Sequence, residues 1–146
     1  MTASESLKFD TRKISELLQI APPFLMIDEI ELIPGKSAKS VKYLSSDEWF
    51  FGCHLPQEMA MPGTLLIEAM LQTLVLTIYT IEGHQGKISY INDLKIKLLK
   101  KVAPNNNLVI CADLLSFRRG VAKGVAKGKI DNAMVCIGEF IFISPH

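Results

Sequence analysis

One segment, from Gly63 to about Thr80, restricts the fold more than any other part of this chain. It reads "GTLLIEAMLQTLVLTIYT", and its residues are compatible with a helix and apolar on nearly every side. Pro62 stands just before it and suits the first turn of a helix, where a missing N–H leaves no bond unmade. A helix that is apolar all round is buried all round. The remainder of the chain is therefore expected to surround this helix.

The surrounding segments are predicted to be mostly strands. A short amphipathic helix begins after a cap at Asp10 or Thr11 and ends at Pro22 and Pro23. Asp131 and Asn132 form a typical two-residue hairpin turn. Strand-like composition is found in six segments, at 24–33, 37–46, 87–102, 105–117, 118–130 and 133–143. This order predicts an α+β protein in which one antiparallel sheet curls around one buried helix, as a single domain over residues 1–146.

Composition and charge exclude several classes of protein. The chain is 49% hydrophobic and 21% charged, which excludes a disordered chain. Its formal net charge of +1 provides no bulk basicity for nucleic-acid binding. Glu68 and Gln72 interrupt the long apolar helix, so a buried helix is predicted rather than a membrane span.

Three cysteines are present, and none of them is in a C-x-x-C spacing. Neither a zinc site nor a disulfide framework is therefore expected, and free thiols fit a reducing compartment. His54 and Glu58 have the spacing of half a metal site, but no third ligand accompanies them. The first residues have no apolar core of the kind found in signal peptides, so a cytoplasmic location is predicted, with neither metal nor cofactor.

The segment "WFFGCH" at 49–54, followed by "MPG" at 61–63 and "EAM" at 68–70, resembles the 3-hydroxyacyl-acyl carrier protein dehydratases of fatty acid synthesis, which have the hotdog fold. The resemblance covers most of the chain, from "PPFLMIDEI" to "KIDNAMVCIGEFIF". "WFFGCH" is similar to the subfamily that also isomerises the double bond, but glutamate at position 68 and the closing strands favour the general dehydratase type. The segment "LPQEMA" at 55–60 departs from the family beside the acyl tunnel, which leaves the substrate preference open.

The resemblance implies removal of water from a 3-hydroxyacyl thioester to give the trans-2-enoyl thioester. It implies that His54 is the base, Glu68 the proton donor, and the Gly63 N–H a donor to the thioester carbonyl. Burial disfavours the charged form of a carboxyl group, so Glu68 in a buried helix is expected to keep its proton. Gln72 lies one turn beyond Glu68 and is expected to hold the carboxyl group or a water. The alternative is that Gln72 is an ordinary polar residue of the core with its hydrogen bonds satisfied there.

The resemblance also implies partners. His and the acid of one site come from different protomers in this family, so a homodimer is expected, and the resemblance also allows its further assembly into a trimer of dimers. Acyl carrier proteins are acidic, which suggests a docking role for five basic residues, Lys100, Lys101, Arg118, Arg119 and Lys123. The alternative is a solvated strand face. Two other functions compete with the dehydratase, a hotdog thioesterase and a hotdog module that binds acyl groups without catalysis.

Overall fold

A computed structural model describes residues 5–144. Three helices and seven strands are found within these residues. They are, in order, β1 (Leu7–Asp10), α1 (Thr11–Leu18), β2 (Glu29–Ile33), β3 (Ser37–Leu44), α2 (Trp49–Cys53), α3 (Gly63–Tyr79), β4 (Tyr90–Leu98), β5 (Asn106–Arg118), β6 (Val121–Ile130) and β7 (Ala133–Ile143).

The seven strands form one antiparallel sheet in the order β1-β2-β3-β5-β6-β7-β4. The β6–β7 hairpin turns at Asp131 and Asn132, which both have positive φ, as a tight hairpin turn with this sequence requires. Strand β4 is the last in the order and pairs only with β7 among the described residues, so one side of its backbone is left as a sheet edge.

Helix α3 lies in the concave face of the sheet and contacts β2, β3, β5, β6 and β7. Most of its residues from Leu65 onwards are buried, which agrees with the absence of a polar face in the sequence. The predicted α+β arrangement, a curled antiparallel sheet around one long buried helix, is thereby confirmed.

Strand β6 explains why the helix can approach the sheet so closely. Its inward residues are all small, namely Ala122, Gly124, Ala126 and Gly128, and its outward residues are lysines and valine. A Cβ atom added at Gly124 would lie 2.6 Å from both Cδ atoms of Leu74 on α3. The alternation of small and long side chains in "VAKGVAKGK" therefore reflects a strand that lies directly beneath a helix.

Three local features differ from the predictions. Strand β1 and the short helix α2 were not predicted. Strand β2 begins at Glu29 rather than at residue 24, because residues 22–28 form turns and irregular backbone.

The predicted cap of α1 is present, since the Asp10 carboxylate accepts a hydrogen bond of 3.0 Å from Lys13 N. Within residues 5–144 no helix has both the length and the apolarity that crossing a membrane requires.

Candidate active site

His54 follows directly after α2 and is half-buried. Its backbone N–H donates to the carbonyl of Phe50, and its ring Nδ1 lies 3.2 Å from the carbonyl oxygen of Ala60. A carbonyl oxygen can only accept a hydrogen bond, so Nδ1 must carry the proton in this contact. In the neutral imidazole, the other ring nitrogen, Nε2, then has a free lone pair.

Helix α2 is held in place by contacts with distant parts of the chain. Phe50 and Phe51 are fully buried, and the Trp49 indole N–H donates to the carbonyl of Pro23 at 3.0 Å. Lys42 on β3 lies between two carboxylates, 3.2 Å from Glu48 and 3.7 Å from Asp28. These contacts fix the start of α2, and through it the backbone that carries His54.

Glu68 lies on α3, where its carboxylate accepts a hydrogen bond of 3.0 Å from the side-chain amide of Gln72. The same amide nitrogen donates to the carbonyl of Phe24 at 3.0 Å, and its oxygen accepts from Met26 N at 2.8 Å. The predicted contact between Gln72 and Glu68 is therefore present. The expected full burial of Glu68 is not found in this chain, because its side chain opens into a cavity and is only half-buried.

Gly63 is the first residue of α3, so its N–H has no partner inside the helix and lies at the positive end of the helix dipole. Leu98 at the end of β4 packs against it. A Cβ atom at position 63 would lie 2.5 Å from a methyl group of Leu98. A side chain at position 63 would therefore displace the half-exposed side chain of Leu98, whereas the backbone angle of Gly63 is one that any residue adopts.

Two separate cavities contain these residues. The first, of about 450 Å³, includes Gly63, Leu98 and the residues Leu55 and Ala60 that flank and anchor His54. The second, of about 270 Å³, includes Glu68 and Gln72 and is otherwise mostly apolar. Within one chain, the cavity beside His54 and the cavity that contains Glu68 share no lining residue. The predicted catalytic pair is thus not brought into one cavity by a single chain.

The five basic residues predicted for docking also fall into two groups. Arg118 and Arg119 are at the β5–β6 hairpin, and Lys123 is the third residue of β6. Lys100 and Lys101 lie at the other end of the sheet, since Lys100 N bonds to the carbonyl of Val135 near the start of β7. The length of β6 separates the two groups, about 30 Å at the usual strand rise. A single chain therefore does not form one patch from them.

Lys42 is the residue at this site that sequence reasoning missed. Its side chain is 11% exposed and contacts two acids. A signal for it was present in the sequence, because Asp28, one of its two partners, interrupts an otherwise apolar segment. Buried or half-buried acids need a partner, and a lysine in the neighbouring strand is one that can provide it.

Comparison with known proteins places the chain in a family. Residues 19–139 match the FabA-like domain. The 3-hydroxyacyl-[acyl-carrier-protein] dehydratase FabZ of Syntrophomonas wolfei is 36% identical over 140 residues, which cover 94% of this chain and 97% of the relative. The FabZ dehydratase of Caldicellulosiruptor bescii is 36% identical over 134 residues, covering 88% and 96%.

Solved structures of low sequence identity share the fold. A chain of the dehydratase heterocomplex ApeI:P from Xenorhabdus doucetiae superposes with a TM-score of 0.74 over 91% of each chain, at 13% identity. A hypothetical thioesterase from Streptococcus pneumoniae superposes with a TM-score of 0.62 over 80% of this chain and 84% of its own, at 15% identity. The fold is that of the hotdog proteins. The chain belongs to the FabA-like family, and within it to the 3-hydroxyacyl-[acyl-carrier-protein] dehydratases of the FabZ type.

Proposed function

We propose that this protein removes water from a 3-hydroxyacyl thioester carried by acyl carrier protein and releases the trans-2-enoyl thioester. The proposal rests on the observation that two side chains suited to acid–base catalysis are each held by a hydrogen bond. The ring of His54 is anchored at Nδ1, and the carboxyl group of Glu68 is held by Gln72. The FabZ relatives, which are named for this reaction, support the same substrate class.

His54 is proposed as the base. The hydrogen bond from Nδ1 to Ala60 fixes the tautomer and leaves Nε2 to accept a proton. Nε2 takes the proton from the carbon next to the thioester carbonyl. The electron pair of that C–H bond becomes the second bond between this carbon and the neighbouring carbon that carries the hydroxyl group.

Glu68 is proposed as the proton donor. The bond from carbon to the hydroxyl oxygen breaks with its electron pair, and the carboxyl proton of Glu68 completes the departing water. Gln72 uses both amide hydrogens, on Glu68 and on the carbonyl of Phe24, so its own orientation is fixed. Gln72 thereby acts as a positioning residue for the carboxyl group. Transfer of a proton from His54 to Glu68 through solvent restores both groups.

The N–H of Gly63 is proposed to donate to the thioester carbonyl oxygen, where negative charge develops as the proton is removed. The first N–H groups of a helix are free to bind such an oxygen. The contact with Leu98 indicates how close another group can come to this position when no side chain is present. A side chain at position 63 would occupy the space that the thioester needs.

We propose that the working form is a homodimer in which each site uses His54 of one protomer and Glu68 of the other. Strand β4 supports this arrangement. It is a sheet edge with several exposed apolar side chains, among them Tyr90, Leu94 and Leu98, as expected of a strand that pairs with another chain. Antiparallel pairing of two β4 strands about Leu94 places Tyr90 opposite the partner's Leu98.

This pairing would join the two cavities. Tyr90 lines the cavity with Glu68, and Leu98 lines the cavity beside His54. A two-fold axis through the middle of β4 therefore brings the Glu68 cavity of each protomer against the His54 cavity of its partner, twice per dimer. The half-buried Glu68 would then be covered by the partner. Native mass spectrometry distinguishes this dimer from a trimer of such dimers.

The same axis would bring the two basic groups together. Tyr90 pairs with Ile143 of β7, which pairs with Val121 of β6, so Arg118 and Arg119 lie at the Tyr90 end of the sheet. Lys100 and Lys101 follow the Leu98 end. In the proposed dimer, Lys100 and Lys101 of one protomer lie beside Arg118, Arg119 and Lys123 of the partner, next to the joined cavity. A basic surface there suits an acidic carrier protein.

Free thiols at Cys53, Cys111 and Cys136 suit a reducing compartment, which supports a cytoplasmic location.

The proposed reaction is tested by incubating the protein with a 3-hydroxyacyl thioester on acyl carrier protein. Enoyl product is measured by mass spectrometry, and free thiol by a colorimetric reagent. The wild-type protein is expected to form the enoyl product. Glu68→Gln is expected to form none, although its melting temperature should equal that of the wild type. Thiol release without enoyl product would point to a thioesterase and contradict the proposal.

A further inference from the structure

Two residues of opposite charge flank Leu94 at the middle of the β4 edge. They are Asp93 and Lys95, and both are exposed. Leu94 itself pairs with Phe140 of β7, which is buried. Directly paired residues of an antiparallel sheet share a face. Leu94 is therefore on the inner face of the sheet, and the two charged residues are on the outer face.

The single chain leaves these two charges without a salt bridge. Asp93 pairs with Ile141, which is uncharged, and Lys95 pairs with Glu139. Among residues 5–144, neither Asp93 nor Lys95 forms a salt bridge. Aspartate is also disfavoured in strands. A group of opposite charge can reach Asp93 from the open side of β4.

The two-fold axis at Leu94 brings these charges together. In antiparallel pairing about this residue, Asp93 of one protomer lies directly opposite Lys95 of its partner, and the same pair recurs on the other side of the axis. Pairs of opposite charge on one face of a sheet are stabilising. On the inner face, Leu94 is 42% exposed in the single chain and would contact its own copy. The edge is thus complementary to itself in charge and in apolar surface.

Other registers of this pairing are opposed by the same residues. A slip of one residue would set inner residues opposite outer ones. With the axis at Asp93, two aspartates would lie opposite each other, and with the axis at Lys95, two lysines would. Like charges directly opposite each other are destabilising. Charges that only kept an edge from aggregating would need no such order, since charge of one sign is enough for that.

We infer that Asp93 and Lys95 fix the register in which two copies of this chain pair through β4. This inference rests on the dimer of the proposed function. Moving the axis by one residue slides the two strands past each other by two residues, about 7 Å. The His54 cavity of one protomer would then no longer meet the Glu68 cavity of its partner. Asp93 and Lys95 are therefore positioning residues for a site that they do not touch.

Mixing two charge variants tests the register. Homodimers of Asp93→Lys and homodimers of Lys95→Asp each contain two like-charge pairs, whereas the mixed dimer contains two pairs of opposite charge. Each homodimer should be weakened about tenfold relative to the mixed dimer, which should then make up about nine-tenths of all dimers at exchange equilibrium. Native mass spectrometry with one variant isotopically labelled measures this fraction. Added salt should lower it towards the random value of about one half, because exposed charges are screened.

A mixture of Asp93→Lys with Lys97→Asp is the matched control. Lys97 is exposed on the same face of the same strand. With the axis at Leu94 it lies opposite the uncharged segment 90–92, so about half of the dimers should be mixed. With the axis at Lys95 it would lie opposite Asp93, and this mixture rather than the first would be rich in mixed dimers. That result, or random exchange in both mixtures, would overturn the inference.

The same variants connect the register to the site. The Asp93→Lys chain then also carries His54→Ala, and the Lys95→Asp chain also carries Glu68→Gln. Nearly every dimer should have one intact site, so about half of the wild-type activity is expected, against about a quarter under random exchange. A return of only a quarter, although mixed dimers are in excess, would contradict the step from register to site.

The mass measurement needs no substrate, so it separates this inference from the proposed reaction. An excess of mixed dimers in the first mixture alone supports the register even if no enoyl product is ever formed. Random exchange in both mixtures, with normal dehydration by the wild-type protein, would overturn the register and leave the dehydratase proposal standing.

Discussion

Gln72 donates a hydrogen bond of 3.0 Å to the carboxylate of Glu68, one helical turn before it on α3. The amide of Gln72 is fixed from the other side by the backbone of Phe24 and Met26. One side chain therefore connects the proposed proton donor to the irregular segment that precedes β2. This segment also accepts the bond from Trp49 at the start of α2, so both helices of the site are attached to it.

Replacement of Gln72 by leucine is expected to lower both activity and stability. Met26 N is buried and would lose the Gln72 side-chain oxygen that accepts its hydrogen bond, which costs about 1–3 kcal/mol of unfolding free energy. The carboxyl group of Glu68 would lose its donor, and kcat is expected to fall at least tenfold with a smaller change in KM. Kinetics below the melting transition, together with urea unfolding, measure the two effects separately.

Thr77→Val is the control for this prediction. Thr77 is also buried on α3, but its hydroxyl bonds to the carbonyl of Leu74 in its own helix. A loss of stability in Thr77→Val without a loss of kcat is expected. If Gln72→Leu keeps the wild-type kcat, the positioning role assigned to Gln72 is wrong.

Mixing two inactive variants tests the shared site. His54→Ala and Glu68→Gln homodimers should each be inactive, but a heterodimer that contains one of each has one site with both residues intact. Random exchange of subunits makes about half of the dimers heterodimers, so about a quarter of the wild-type activity is expected to return. Activity that stays at zero, while native mass spectrometry detects the heterodimer, would contradict a site made by two protomers.

Charge reversal tests the basic surface. The double variant Arg118→Glu/Arg119→Glu should raise KM severalfold for substrate on acyl carrier protein and leave kinetics with a small thioester analogue unchanged. The effect should weaken with added salt, since the attraction is between exposed charges. Arg12→Glu/Lys13→Glu on the exposed side of α1 is the matched control and should affect neither substrate. Equal changes for carrier-bound and small substrates in the Arg118 and Arg119 variant would refute docking at this surface.

Much of the fold could be predicted because its pattern is local. The apolar run of α3 and the turn at Asp131 and Asn132 depend only on neighbouring residues. The spacing of His54 and Glu68, together with the resemblance, also identified the family correctly. The contact between Gln72 and Glu68 follows from one turn of helix, and it too was predicted.

Other features depend on contacts between residues distant in the sequence, and these were missed. Strand β1 has only four residues and is a strand because Leu7 pairs with Leu32 in β2. Helix α2 has five residues, too few for a helical period to be recognised. The bonds of Gln72 to Phe24 and Met26 span more than forty residues of sequence. The separation of the basic residues into two groups likewise follows from the strand order rather than from the composition.

The packing of α3 on β6 predicts opposite effects at two glycines. Gly124→Ala would place a methyl group 2.6 Å from Leu74 and 3.0 Å from the carbonyl oxygen of Asp113, so the helix or the strand must move. Overpacking of this kind costs about 1–3 kcal/mol. Gly52→Ala on α2 has no atom within 4 Å of the added methyl group and should be neutral or slightly stabilising. Thermal melting of both variants is the measurement, and equal melting temperatures would contradict the close contact.

Cys136 should make the stability of the fold depend on alkaline pH. Burial raises the pKa of its thiol from 9.0 to about 11, an effect that a backbone hydrogen bond with Gly128 partly opposes. Between pH 9 and 11 the unfolded chain loses this proton while the folded chain keeps it. The unfolding free energy therefore falls as pH rises, by at most about 1.4 kcal/mol per pH unit from this group. Below pH 9 both states are protonated, and the contribution to stability is fully present.

Urea unfolding of wild-type protein and Cys136→Ala at several pH values from 8 to 10.5 measures this contribution. Other groups titrate in the same range, so the quantity to follow is the difference in unfolding free energy between the two proteins. That difference should shift in favour of Cys136→Ala as pH rises. Cys53→Ala, at an exposed cysteine, should remain parallel to wild type throughout. A difference between wild type and Cys136→Ala that stays constant across this range would mean that the thiol ionises as easily in the folded chain as in the unfolded one.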